Sequence, residues 1–446
     1  MTSKDSPGHG MLPAGPVEYC PSSGITASGD PVAYPAESAG IVASGDPVAF
    51  PAESAGIVAS EDPVASPAGS AVFGASGVPA ASPAGSAGFG ASGVPAASPA
   101  GPPRRDIGAI LAGRAARFRL ALAGCIVLLA LSLLLALCAG HVWNTPAEVF
   151  RSIFGEGRRT ANLISLWRLP RAFTAAVVGA LLGTSGAVFQ GIFRNPLAEP
   201  WLVGSSGGAA VGAVLALLLP WPVSQELVLP VLSFAGALGA AFLVLAMARL
   251  SGSLDAATLL LAGIAVGAML TALRSFLMMT LSTETVSLQV VMSWLMGAIQ
   301  APDGARMRLF VALSALVFAL SMRMSRALDL LGLGEGVAAA WGLNVRRAVV
   351  LGLVLGAAGA ALAVSAGGMV AFVGLAAPHI ARFLAGTRHA RLLPFSALAG
   401  AILVTLADAL ARSLLPPGEI PLGLVTALAG GPFFLAILAG RHRRAG

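Results

Sequence analysis

Charged side chains make up only 11% of this 446-residue chain, so the few that interrupt its apolar stretches are the ones to which chemistry can be assigned. They recur in short strings. Arg168 and Arg171 sit in RLPR; Arg194, Asn195, Pro196 and Glu199 in FRNPLAEP; Glu335 in GEGVAAAWGLNVRR; Pro378, His379 and Arg382 in APHIAR. Asp408 and Arg412 stand one helical turn apart, and Arg274 lies alone inside an apolar run. Guanidinium groups at the ends of apolar segments suit paired carboxylates or lipid phosphates. Histidine within such a segment is the residue type of a proton relay, and His379, Asp408 and Arg274 would form the relay of a proton-coupled secondary transporter.

Catalytic chemistry finds no support. Lys4 is the only lysine, so no G-x-x-x-x-G-K-[ST] phosphate loop exists and no Schiff-base lysine lies in the apolar part. There is no Ser/His/Asp arrangement, HExxH helix or pair of intramembrane aspartates. Cys20, Cys125 and Cys138 form no C-x-x-C and no His/Cys cluster of ligand spacing, so neither a metal site nor a disulfide framework is expected. The arginines gather at membrane ends, not on a basic face with interleaved aromatics, which argues against nucleic acid.

The elements that must position these residues are membrane helices. About 20 apolar residues cross a ~30 Å hydrocarbon layer, and stretches of that kind are expected near 120–140, 172–192, 201–219, 228–249, 256–279, 307–324, 348–366, 369–385, 394–413 and 421–440. An all-α protein of ten spans follows, with the eighth weakened by Gly367, Gly368, Gly374 and Pro378. Gly179, Gly183, Ser185, Gly186 and Gly191 on the second span let other helices approach it closely, so protein is expected to wrap it. The excess of arginine at alternate ends places both termini in the cytoplasm.

Residues 326–347 are too interrupted by glycine and charge to cross and read as two short cytoplasmic helices. Residues 283–300, on the outside, hold a short apolar piece that reads as interfacial or re-entrant. Ahead of the spans, residues 1–103 repeat with a sixteen-residue period (GITASGDPVAYPAESA, GIVASGDPVAFPAESA) and carry eight acidic residues against Lys4. Such Pro/Ala/Gly/Ser-rich sequence cannot bury enough surface to order itself, so a disordered cytoplasmic tail is expected, followed by a basic juxtamembrane segment at 104–119 and the ten-span domain at 120–441.

Taken together, RLPR, FRNPLAEP, GEGVAAAWGLNVRR, FVGLAAPHIAR and LADALAR…EIPLGLVTALAGGPFFLAIL resemble, in order and spacing, the permease subunits of the iron-siderophore, haem and cobalamin ABC importers of the FecCD type. The resemblance implies a type II importer: a pair of ten-span permeases, usually a homodimer, in the cytoplasmic (inner) membrane, two ATPase subunits beneath that use ATP and Mg, and a soluble binding protein that delivers a metal chelate. An iron chelate is the commonest cargo, with haem and cobalamin the others. No cofactor would be bound by this chain.

Residue by residue, the resemblance assigns binding-protein docking to Arg168, Arg171 and Arg412. The alternatives are that Arg412 only pairs with Asp408 and that the other two meet lipid phosphates. It assigns ATPase coupling to Gly334, Glu335, Ala338, Gly342 and Leu343, where Trp341 replaces a leucine-like residue. The alternative is an amphipathic loop resting on the membrane. Arg194, Asn195, Pro196 and Glu199 would tie a tight turn, and Pro378 and His379 would shape a helix break with Arg382 at the interface. Arg274 would greet an anionic chelate in the pathway or snorkel to the outer surface.

Overall fold

The computed structural model describes residues 107–153, 162–282, 285–416 and 418–445; the sixteen-residue repeats lie outside them. Every regular element among the described residues is helical. We number the α-helices α1 (Ile107–Cys138), α2 (Pro146–Ile153), α3 (Leu169–Ile192), α4 (Ser205–Leu218), α5 (Gln225–Leu250), α6 (Ala256–Leu281), α7 (Thr285–Leu295), α8 (Gly304–Arg323), α9 (Ser325–Leu331), α10 (Glu335–Ala340), α11 (Val345–Gly367), α12 (Val373–Ala385), α13 (His389–Ala411) and α14 (Leu422–Ala445).

Helix α3 is the axis of the bundle. Every residue from Leu181 to Ile192 is buried, with α11, α12 and α13 packed around it and α1 against α13. Its glycines are the reason the neighbours come so close. A Cβ on Gly179 would run into the Gly400 carbonyl, one on Gly183 into that of Ser396, and one on Gly186 into that of Gly374. In lipid, where apolar area gains nothing by leaving the tails, such backbone approach is what holds helices together. Gly400→Val is therefore expected to lower the thermal midpoint of the purified protein by several degrees, through about 1–3 kcal/mol of overpacking. Gly239→Ala, with open space around it, should leave the midpoint unchanged. Equal midpoints for the two variants would refute this packing.

Helices α4, α5 and α6 form a second group, joined to the first through α11 against α5. Local caps set several starts: Asp255 accepts from the Thr258 N–H at 2.8 Å, Asp303 from that of Arg306 at 3.1 Å, and Asn344 from that of Arg347 at 3.0 Å. Arg306 and its own helix N-terminus hold the Asp303 carboxyl down to about 2.

Seven helices are long and apolar enough to cross a membrane, and Ser205–Leu218, Val373–Ala385 and Leu422–Ala436 are shorter apolar helices in the places of the other three expected spans. At 1.5 Å per residue, α4 and α12 reach only about 20 Å, and each is preceded by irregular or 3-10 chain. The break in the eighth segment lies at 368–372, not at Pro378, which is buried inside continuous α12; Gly368 and Phe372 both take left-handed φ there. Of the interfacial and re-entrant readings of residues 283–300, the burial of Val291, Trp294 and Leu295 in the core beside α4 favours the second. The basic stretch before the first span, from Ile107 onward, is continuous with α1.

Candidate functional site

The charged residues collect at the two ends of α3. At its N-terminal end, Arg168 lies in a π-turn over Ile164–Arg168 and Arg171 in the first turn of α3. Arg168 is buried and donates through Nη1 to the Leu137 and Cys138 carbonyls (2.8 and 3.1 Å) and through Nη2 to the Val142 carbonyl (2.7 Å). Arg412 is also buried and donates to the Ala139 and Ala136 carbonyls at 3.0 and 2.9 Å. These are largely the carbonyls that the C-terminus of α1 leaves without intrahelical partners, and cations there also complement the helix dipole. Gly140 leaves room for the Arg168 guanidinium, which a Cβ would displace.

Asp408, fully buried, sits between the arginines. Its Oδ2 accepts from Arg412 Nε at 3.0 Å and its Oδ1 from Arg171 Nη2 at 3.0 Å and Nε at 3.1 Å. Arg171 turns its other edge to Glu419, at 2.9 and 3.1 Å, whose side chain is half exposed. Of the three arginines expected to dock a partner, only Arg171 keeps part of its guanidinium at the surface. The other two clamp α1, and Arg412 pairs with Asp408 while doing so.

The other end of α3 carries the 325–343 segment, folded as two short helices, α9 and α10. Leu328 and Leu331 of α9 are fully buried and anchor it. Two charged contacts fix the segment to the bundle: Arg194 pairs with Glu335, and Asp329 Oδ1 accepts from the backbone N–H of His389 at 2.8 Å and meets its Nδ1 at 2.7 Å. The second contact had no sequence signal, since 60 residues separate its partners. Gly334 and Gly342 take φ of +107° and +81°, which glycine alone adopts without strain, so they set the bounds of α10.

Of the residues expected to touch an ATPase, Ala338 is fully buried and Leu343 half-buried against the core, so both help hold α10 in place, whereas Glu335 and Gly342 are exposed. The outward surface also carries Leu333, Val337 and Trp341, which are 63%, 44% and 75% exposed. The departure at Trp341 was visible in the sequence; its direction was not.

Asn195 forms an Asx turn by accepting from the Leu197 N–H at 2.9 Å, as expected of a residue before Pro196. Glu199 does more than tie this turn: its Oε1 accepts from the Phe372 N–H at 2.7 Å, so it joins the entries to α4 and α12. His379 meets the Phe433 ring edge-on, at 6.1 Å between centroids. Arg382 is half-buried, next to the fully exposed Phe383. Arg274 falls on the packed face of α6 with Leu259, Gly263 and Met278, away from the exposed face of Leu261, Met269, Phe276 and Met279.

A relay through His379 and Asp408 is not built here. Asp408 lies about 28 Å along α13 from its start and His379 about 9 Å back along α12 from its end, and three residues join the two helices. Both Asp408 oxygens are already taken by guanidiniums.

A helical bundle with seven membrane-length helices, broken shorter ones and a pair of short helices anchored at one end has the architecture of a membrane permease. The comparisons agree. Residues 128–440 match the FecCD transport family. The chain is 36% identical to the Fe(3+) dicitrate transport system permease protein FecD of Escherichia coli K12, over 72% of this chain and 96% of that one. It is 37% identical to the hemin transport system permease protein HmuU of Yersinia pestis (72% and 96%), and 40% identical to the vitamin B12 import system permease protein BtuC of Escherichia coli O157:H7 (71% and 94%). Among solved structures, a metal-chelate type ABC transporter in an inward-facing conformation superposes with a TM-score of 0.63 at 31% identity, covering 72% of this chain and 99% of the other. The chain belongs to the FecCD transport family and is a multi-pass membrane permease subunit of a metal-chelate ABC importer.

Proposed function

We propose that this permease, paired with a second copy of itself, passes an iron chelate across the cytoplasmic membrane, driven by ATPase subunits that grip the segment Ser325–Leu343. The observation that carries the reading is the mounting of that segment. Buried leucines and the Arg194–Glu335 and Asp329–His389 contacts make it stiff enough to transmit force, while Leu333, Val337 and Trp341 face outward to meet a partner. With ATP-driven subunits at that end, the ten-crossing topology has both termini in the cytoplasm, as the arginine asymmetry requires.

The opposite end of α3 would then face the delivering protein. Arg171 and Glu419 form its surface, a cation and an anion side by side, over a rim held by Arg168, Asp408 and Arg412. No cofactor is needed by this chain; ATP and Mg belong to the ATPase. Among the relatives, iron citrate, haem and cobalamin are all named as cargo. Iron chelate is our reading because the alanine-, glycine- and leucine-rich lining selects by size, and ferric chelates are the family's commonest load.

The test is uptake by a strain lacking its own permeases but supplied with this chain and its ATPase and binding protein. Labelled iron chelate, a ferric siderophore or haem, should accumulate only with all three present, and cobalamin should not. Cobalamin uptake in place of iron would overturn the cargo assignment. Uptake without the ATPase would overturn the importer mechanism.

A further inference from the structure

At the end of the bundle that carries α9 and α10, the last turn of α5 and the first turn of α11 meet beside an open groove. It has a volume of about 550 Å³ and is lined by Arg249, Arg346, Arg347, Val350 and Leu351. All three arginines are exposed, and among the described residues no carboxylate pairs with any of them. Three unpaired guanidiniums around one groove are a costly concentration of positive charge unless an anion completes it.

An adjoining cavity, lined in part by Arg249 and Arg346, also carries Asp255 and Glu335, but neither acid comes within ion-pair distance of these arginines. Asp255 caps α6 and bonds Ser253 and Thr258, and Glu335 is held by Arg194. The walls identify the anion. One turn further into α11 than Arg346 and Arg347 the groove continues onto apolar surface: Val350 and Leu351 line it, and Leu351 is 56% exposed. Both α5 and α11 are long and apolar enough to cross the membrane, so this is where the bilayer boundary falls. A ligand with a negative head and hydrocarbon immediately beneath it fits both parts; an acidic protein side chain would use only the first.

We propose that the α5–α11 groove is a binding site for an anionic phospholipid, whose phosphodiester is held by Arg249, Arg346 and Arg347 and whose acyl chains lie along Val350 and Leu351. The lipid would brace the turn at Gly252–Asp255 against the start of α11, next to the segment that meets the ATPase. The inference concerns this chain's own surface and does not depend on which chelate is carried.

The experiment is native mass spectrometry of the full chain, stripped of lipid in detergent and then offered phosphatidylglycerol and phosphatidylcholine in equal amounts. The wild type should retain phosphatidylglycerol over phosphatidylcholine by about tenfold or more, given roughly fivefold per basic residue near an anionic lipid. The preference should shrink as salt is raised. The triple variant R249Q/R346Q/R347Q should lose it, the corresponding lysine triple should keep most of it, and R323Q, on exposed α8 surface, should match the wild type.

An unchanged ratio in the glutamine triple would overturn the proposal, as would no preference in the wild type. If millimolar inorganic phosphate alone displaced the lipid, the groove would be a phosphate site and the lipid assignment wrong. If the triple variant lost its co-expressed ATPase while keeping the lipid ratio, the groove would be a protein interface and the proposal would also fail.

Discussion

Asp408→Ala should leave little folded permease in the membrane. The carboxylate is fully buried between Arg171 and Arg412, and Arg412 is buried as well. Removing it leaves the buried Arg412 with no carboxylate and Arg171 with only the half-exposed Glu419, and breaking a buried pair from one side costs about 3–5 kcal/mol. That is comparable to the whole stability of many domains. The loss should appear as a large drop in thermal midpoint of the detergent-purified protein and in the amount recovered. Asp408→Asn should fall between, because its amide keeps one acceptor but turns a donor toward the donors of the arginines.

The same measurement separates clamp from docking surface. Arg412→Gln should destabilise the fold by releasing the Ala136 and Ala139 carbonyls. Arg171→Gln, on a partly exposed side chain, should preserve more of the fold and weaken dependence on the delivering protein. A stable Asp408→Ala protein with a wild-type midpoint would show that the cluster is not the structural clasp described here.

Second in size is the expected loss of ATPase binding on charging the outward face of α10. Trp341 and Val337 lie exposed, as does Leu333 just ahead of the helix, and none of the three belongs to the buried core. Tryptophan is the residue type that most often dominates interfaces, with truncation at such a position costing about 2 kcal/mol or more. Val337→Asp with Trp341→Asp should therefore reduce ATPase association by at least roughly 30-fold while the thermal midpoint of the permease stays within a degree or two. Gly342→Ala makes the contrast: its φ of +81° strains any side chain, so it should cost about 1 kcal/mol of fold and weaken association only indirectly. Normal co-purification of the ATPase with the double aspartate variant would remove the coupling role from this face.

The membrane class, the non-crossing 326–347 segment and the tight packing around the second span were all legible in the chain, because each depends on sums over neighbouring residues. Length of apolar run, glycine spacing and the turn chemistry of Asn195-Pro196 are local quantities. The length of the broken helices was less legible. Composition over 369–385 is apolar enough for a span, but Gly368 and Phe372 unwind its first part, and the N–H left over is satisfied by Glu199, 173 residues away.

The roles of the charged residues were decided by tertiary structure alone. A guanidinium at a helix end looks the same in sequence whether it waits for a partner or is already engaged. Arg412 is engaged by carbonyls more than 270 residues earlier, and Arg168 by those about 30 residues earlier. The direction of α10 is of the same kind: Ala338 and Trp341 lie three residues apart, yet one is buried and the other exposed because Leu328 and Leu331 of α9 fix the rotation of the segment. Apolar periodicity is written into each segment of this protein. Which helix end a buried charge completes depends on which ends the folded bundle brings together.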